Sequence, residues 1–198
     1  MITIFDDGTS FAHNIAQLIG MSGATPIVVE AADADLAVLS QASGIVVAAE
    51  SLSPAASAHL ARAMSDVPTL GIGHGFYWFA EQFGARFRPA REPMHGKADA
   101  VVHDGRDLFE GVPSPLRAVR YDARVLVESS LPDRLVVTCR SEKTGVVLGM
   151  RHTSFAVFGV QFHPHSAFTD DGHLIIENFL ALTSAVGAAG RGRTSANS

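Results

Sequence analysis

Between Val67 and Phe83 the chain changes pattern twice. Val67-Pro68-Thr69-Leu70 opens a short apolar run, Gly71, Gly73 and Gly75 fall at alternate positions, and Phe76, Phe79 and Phe83 follow at helical spacing. Strand, tight turn and helix are the elements this order predicts. A turn of this kind, the nucleophile elbow, holds one residue on strained backbone at the carboxyl end of a parallel strand. A helix N-terminus behind it receives negative charge. The apex here is Gly73, which has no side chain to react.

The segments before the elbow set the fold class. Residues 2–5 read as a buried strand that ends in the acidic turn Asp6-Asp7-Gly8. Ser10 is placed to cap a helix with Phe11, Ile15, Leu18 and Ile19 on its inner face, and Gly23 ends it. Residues 27–29 and 44–48 are unbroken apolar runs, as parallel strands covered on both faces require. Ser53-Pro54, a cap followed by proline at the first helical position, starts a helix running to Met64. This alternation predicts an α/β doubly wound sheet.

After Gly84 short strand-like pieces take over, at residues 100–102, 118–121, 135–139, 146–150 and 156–160. A terminal helix is expected over residues 174–182, with Leu174, Ile175, Asn178, Phe179 and Leu182 on its core face. Residues 184–198, rich in Ala, Gly, Ser and Arg, are expected to form a disordered tail beyond a single domain at 1–183.

The segment Gly71-Ile72-Gly73-His74-Gly75-Phe76-Tyr77 resembles the Gly-x-Cys-x-Gly-His-Gln elbow of class I glutamine amidotransferases. The resemblance is to the glutaminase component (component II) of anthranilate and aminodeoxychorismate synthases. The frame glycines remain, while the family's cysteine, histidine and glutamine are replaced by Gly73, Phe76 and Tyr77. Val160-Gln161-Phe162-His163-Pro164-His165-Ser166 is similar to the family's Gln-Phe-His-Pro-Glu-Ser, with His163 matching the general base and His165 standing where the orienting glutamate is expected. Residues 5–14, Met94-His95-Gly96-Lys97 and Asn178-Phe179-Leu180 extend the match over residues 1–183, the Met94 segment reading as architectural. The resemblance implies a flavodoxin-like, mostly parallel sheet flanked by helices, with a β-rich second half.

Glutamine hydrolysis in that family passes through a thioester, which needs a thiolate near a base held by a third group. Gly73 removes the nucleophile. The family's oxyanion loop, Pro-Gly-Pro-Gly, corresponds to Ala49-Glu50-Ser51-Leu52, which has no glycine and carries a carboxylate that would repel an oxyanion. Oxyanion positions then fall on Glu50, Ser51, Leu52 and His74. The family's Arg-Tyr-His-Ser-Leu stretch becomes Arg120-Tyr121-Asp122-Ala123-Arg124. Tyr77 and Asp122 are expected to line the pocket, although Asp122 and Glu50 also read as solvated loop acids. Tyr77 and Trp78 would plug the vacated pocket or form a partner-facing patch. With Gly73, His163 and His165 as degenerate triad positions, the expectation is a pseudoenzyme retained as companion or regulatory subunit of a synthase-type chorismate-processing enzyme.

Two other readings stay open. His74, His163 and His165 could hold a metal and support new chemistry, or a rearranged site could still hydrolyse glutamine. A dinucleotide loop does not fit, because the later glycine of that fingerprint is missing. No cofactor is expected. The net charge of -5 argues against a nucleic-acid surface, and no apolar run approaches the roughly 20 residues of a membrane span. The N-terminus lacks the pattern of a signal peptide, from which a cytoplasmic location is expected. The single cysteine, Cys139, reads as a packed thiol in a strand.

Overall fold

The computed structural model describes residues 1–8, 11–31 and 36–194. Nine strands form one sheet in the order β2-β1-β3-β4-β9-β8-β7-β5-β6. Its first half is parallel: β1 (Ile2–Asp6), α1 (Ala12–Met21), β2 (Pro26–Glu30), α2 (Leu36–Ser40), β3 (Gly44–Val47), α3 (Pro54–Ala63), β4 (Thr69–Ile72) and α4 (His74–Gln82), the expected alternation with the addition of α2, which sequence reasoning did not anticipate. Ser53 caps α3 by accepting from the Ala56 amide, as its place before Pro54 predicts.

Alternation of side chains along the central strands divides the core in two. Ile2, Ile4 and Val46 pack under α1 and α5 with Ile15, Ile19, Ile176 and Phe179. Phe5, Ile45 and Val47 face α3 and α4 with Leu60, Met64, Phe76 and Phe79. Each large side chain so removed from water contributes about 1.5–3 kcal/mol before the entropy of ordering is subtracted.

The second half is antiparallel: β5 (Phe87–His103), β6 (Leu116–Leu126), β7 (Leu135–Ser141) and β8 (Val147–His152), with β9 (Val157–Val160) returning parallel to β4. Here the sequence expectation falls short. β5 is one strand of 17 residues that includes the Met94-His95-Gly96-Lys97 segment, not a short piece at 100–102. Most of its first ten residues are exposed, so no apolar alternation marks it.

The helix ends also differ from expectation. Ser10 lies outside the described residues, and Phe11 takes the N-cap position of α1 without a side-chain cap. α5 (Gly172–Thr194) continues past Leu182 into the stretch expected to be a disordered tail. Alanines at 185, 188 and 189 favour that continuation. Residues 195–198 lie outside the described residues. Asn178, expected on the core face of this helix, donates from Nδ2 to the Leu108 and Glu110 carbonyls. No helix among the described residues is long and apolar enough to cross a membrane.

Candidate active site

β4 and β9 run side by side in the same direction, so their carboxyl ends open on one edge of the sheet. Gly73 follows the first and His163 the second. The Gly73 amide donates to the Val160 carbonyl at 2.9 Å, and the His163 amide to the Val119 carbonyl at 3.0 Å. Both positions are therefore fixed by main chain.

Gly73 has φ 59° and ψ −111°. These angles lie in a sparsely populated, positive-φ region where a residue other than glycine is strained by about 1–3 kcal/mol. Behind it α4 lies almost against the sheet, and a Cβ on Gly75 would collide with the Val47 carbonyl oxygen. The elbow predicted at residues 67–83 is thus present in full, and its apex is empty.

His163 faces that apex, and a Cβ on Gly73 would lie 2.9 Å from its Cε1 and 3.2 Å from its Nε2. His165 stands edge-on to it, with ring centroids 5.2 Å apart, yet Nδ1 of each ring has no hydrogen-bond partner among the described residues. Burial, then His165 and His74, pushes the His163 pKa down to about 3, and burial pushes His165 down to about 4. A carboxylate in place of His165 would favour the imidazolium; a neutral imidazole does not. His163 is consequently a weak base whose Nδ1 no described residue orients.

The loop after β3 is also committed elsewhere. The amides of Glu50 and Ser51 both donate to the Asp7 carboxylate, at 2.7 and 2.9 Å, so donors in the oxyanion-loop segment are already neutralising an acid. The Glu50 carboxylate lies 3.7 Å from Nδ1 of His74, the first residue of α4; Glu50 is exposed and His74 half-buried. Negative charge therefore stands at the helix end that would otherwise receive an oxyanion. Leu52 is half-buried and packs on the second core.

A cavity of about 470 Å³ opens at this edge, with His74, His163, His165 and Asp122 among its walls. Tyr121, from the stretch matched to the family's substrate segment, and Phe11, which sequence reasoning placed on a helix face and not at the site, complete an aromatic wall: each ring lies within 6 Å of the His163 centroid. The exposed aromatic at the start of α1 was the available signal. No Lys or Arg among the described residues lines the cavity.

Tyr77 does not line it. The ring packs into the second core against Phe87, its hydroxyl donates to the Arg124 carbonyl, and the Arg124 guanidinium lies over its face. Burial, then Asp122, raises its pKa far above the phenolic range. Trp78 is likewise buried and donates to Ser57 Oγ. The two rings neither plug the cleft nor form a surface patch. They are core because i and i+1 on this short helix both meet neighbouring elements.

Asp122 is not a solvated loop acid either. It is buried on β6 and accepts from Arg120 at 2.6 Å, while Arg120 also donates to Asp99. Burial opposes the Arg120 charge, but the two carboxylates outweigh it and raise its pKa. Among the described residues no three His, Cys, Asp or Glu side chains are grouped to hold a metal ion. The ligand set of His74, His163 and His165 that the sequence admits is not assembled. Cys139 is buried and burial pushes its thiol pKa up, as a packed cysteine requires.

Residues 3–182 match the glutamine amidotransferase class-I family. The chain belongs to this family. Relatives of this family member include anthranilate synthase component 2 of Thermus thermophilus, 36% identical over 191 residues, with 90% of this chain and 91% of that one covered. Aminodeoxychorismate synthase component 2 of Serratia marcescens is 34% identical, with 91% and 99% covered. Among solved structures, a GMP synthase subunit from Thermoplasma acidophilum superposes with a TM-score of 0.83 over 96% of this chain and 98% of that one. At 23% identity it speaks to the shared fold alone. The family match and the shared fold thus run through the elbow whose apex is Gly73.

Proposed function

We propose that this amidotransferase-family chain does not hydrolyse glutamine and acts as the companion or regulatory subunit of an anthranilate or aminodeoxychorismate synthase-type enzyme. The observation that carries this reading is Gly73, which holds elbow geometry with no atom to attack an amide. Three further features support it. The imidazole at the base position is disfavoured as an acceptor of protons, the amides of Glu50 and Ser51 are bound to Asp7, and the cavity offers no cationic side chain, among the described residues, to an amino-acid carboxylate.

The partner is inferred from relatives whose names describe them as component 2 of such synthases. A subunit that binds only the folded or closed form of its partner stabilises that form by mass action, without chemistry of its own. The test has two arms. Purified protein, alone and with a synthase-type subunit from the same host, is assayed for glutamate release, and native copurification is inspected for such a subunit. No glutamate and a stoichiometric synthase-type partner are expected. Turnover of glutamine would refute the inactive reading, and copurification without any such subunit would refute the companion role.

A further inference from the structure

A groove on the antiparallel half carries a charge opposite to that of the chain as a whole. It encloses about 550 Å³ and is lined by Arg88, Arg91, Lys97, Lys143 and Arg120 against only two carboxylates, Glu92 and Asp99. Asp99 is already bonded to Arg120, so Glu92 alone faces four exposed cations. None of those four has an ion-pair partner among the described residues. The protein that carries them has a net charge of -5.

The backbone builds this concentration. The β5–β6 register slips between Pro89 and Met94, which sets Arg91 and Glu92 on an irregular stretch. Lys97 then pairs directly with Arg120 across the two strands. Like charges directly opposite one another on a sheet are destabilising unless something compensates them. Asp99 and Asp122 compensate Arg120, but no carboxylate pairs with Lys97 among the described residues. Arg120 is buried, lines the groove floor, and has an Nε–H without an acceptor among the described residues. Cations around one concave surface add their fields on whatever enters it, and the low-dielectric walls focus the sum.

We propose that this groove is a binding site for a small organic polyanion, a molecule with two or more carboxylate or phosphate groups. The volume fits a small-molecule pocket, roughly 300–1,000 Å³. Lys97, Arg91 and Lys143 would neutralise separate anionic groups, and a polyanion that engages several of them outweighs the repulsion of Glu92, whereas a monoanion engages only one. The site is separate from the cleft beside Gly73, although Arg120 links the two by bonding Asp99 on the groove side and Asp122 on the cavity side. It stands independently of whether the chain hydrolyses glutamine.

Isothermal titration of the full chain with citrate, at constant low ionic strength set with sodium chloride, tests the proposal. Saturable 1:1 binding is expected, weakened at least tenfold by the double variant Lys97→Gln/Arg91→Gln and unchanged by Arg117→Gln, which removes a cation outside the groove. Circular dichroism of each variant verifies folding. No saturable citrate binding, or equal weakening by Arg117→Gln, overturns it. Binding of hexaglutamate with no binding of citrate also overturns it, by assigning the groove to an acidic protein segment. Each of these failures leaves the glutamate-release result untouched, so the two readings fall separately.

Discussion

A Cβ placed on Gly73 meets the His163 ring at 2.9 Å, closer than a real Cβ approaches its neighbours. The imidazole occupies part of the room that a side chain at the apex would need. Placing any side chain at position 73 therefore requires His163 to move.

Gly73→Cys is accordingly expected to release no glutamate and to be less stable. The backbone strain of a non-glycine apex is about 1–3 kcal/mol, before displacement of His163 is added. For a chain of this size each kcal/mol lowers Tm by roughly 2–4 °C. Calorimetry and a coupled glutamate assay on the single variant measure both effects. Detectable glutamate from it would contradict the view that loop, base and apex have all departed from the catalytic arrangement.

Gly75→Ala tests the frame and not the chemistry. The added methyl collides with main chain on β3, which cannot step aside as a side chain can. A loss of about 3 kcal/mol or more is expected, seen as a lowered urea midpoint or as insoluble expression. A stability within about 0.5 kcal/mol of the parent, the level of an ordinary surface change, would show that α4 does not sit against Val47.

The two half-buried histidines of the cavity wall make stability depend on pH. Their folded pKa values, about 3 for His163 and about 4 for His165, lie below the ordinary 6.5. Between those values the unfolded chain binds more protons than the folded one, so stability falls as pH falls from 6.5 towards 4. From about pH 7.5 to about pH 5 the loss is on the order of 2 kcal/mol per ring. Urea melts of the parent and of His163→Phe/His165→Phe at the two pH values measure it. An equally steep pH slope in the double variant would remove these rings as its source.

Arg120→Met leaves the buried Asp122 and the half-buried Asp99 without a counter-charge. Breaking a buried pair from one side costs about 3–5 kcal/mol, whereas the pair itself contributes little over an apolar replacement. The variant is therefore expected to unfold at much lower urea than the parent, and Asp99→Asn/Arg120→Met/Asp122→Asn to recover part of the loss. No recovery in the triple variant would mean that Arg120 acts through packing.

These residues also show what could and could not be read beforehand. The parallel half was legible because its strands are unbroken apolar runs and its helices carry capping and spacing signals, as at Ser53-Pro54. β5 was not, because exposed residues such as Arg88, Arg91 and Glu92 carry no burial pattern; its pairing with β6 places them in a strand. Within the site, Gly73 and His163 could be matched by motif. Tyr77 misled because its family position predicts a pocket, whereas its ring turns into the core. Arg120 and Asp122 did leave a trace: two apart on a strand, they share a face. Their burial depended on Asp99, from a different strand, and no local pattern announces that.

The contact between Gly75 and the Val47 carbonyl has a corollary. Helix and strand are spaced there by polypeptide backbone, not by interdigitating side chains. A residue exchanged at the neighbouring apex thus leaves that spacing alone, and the vault above it keeps its span.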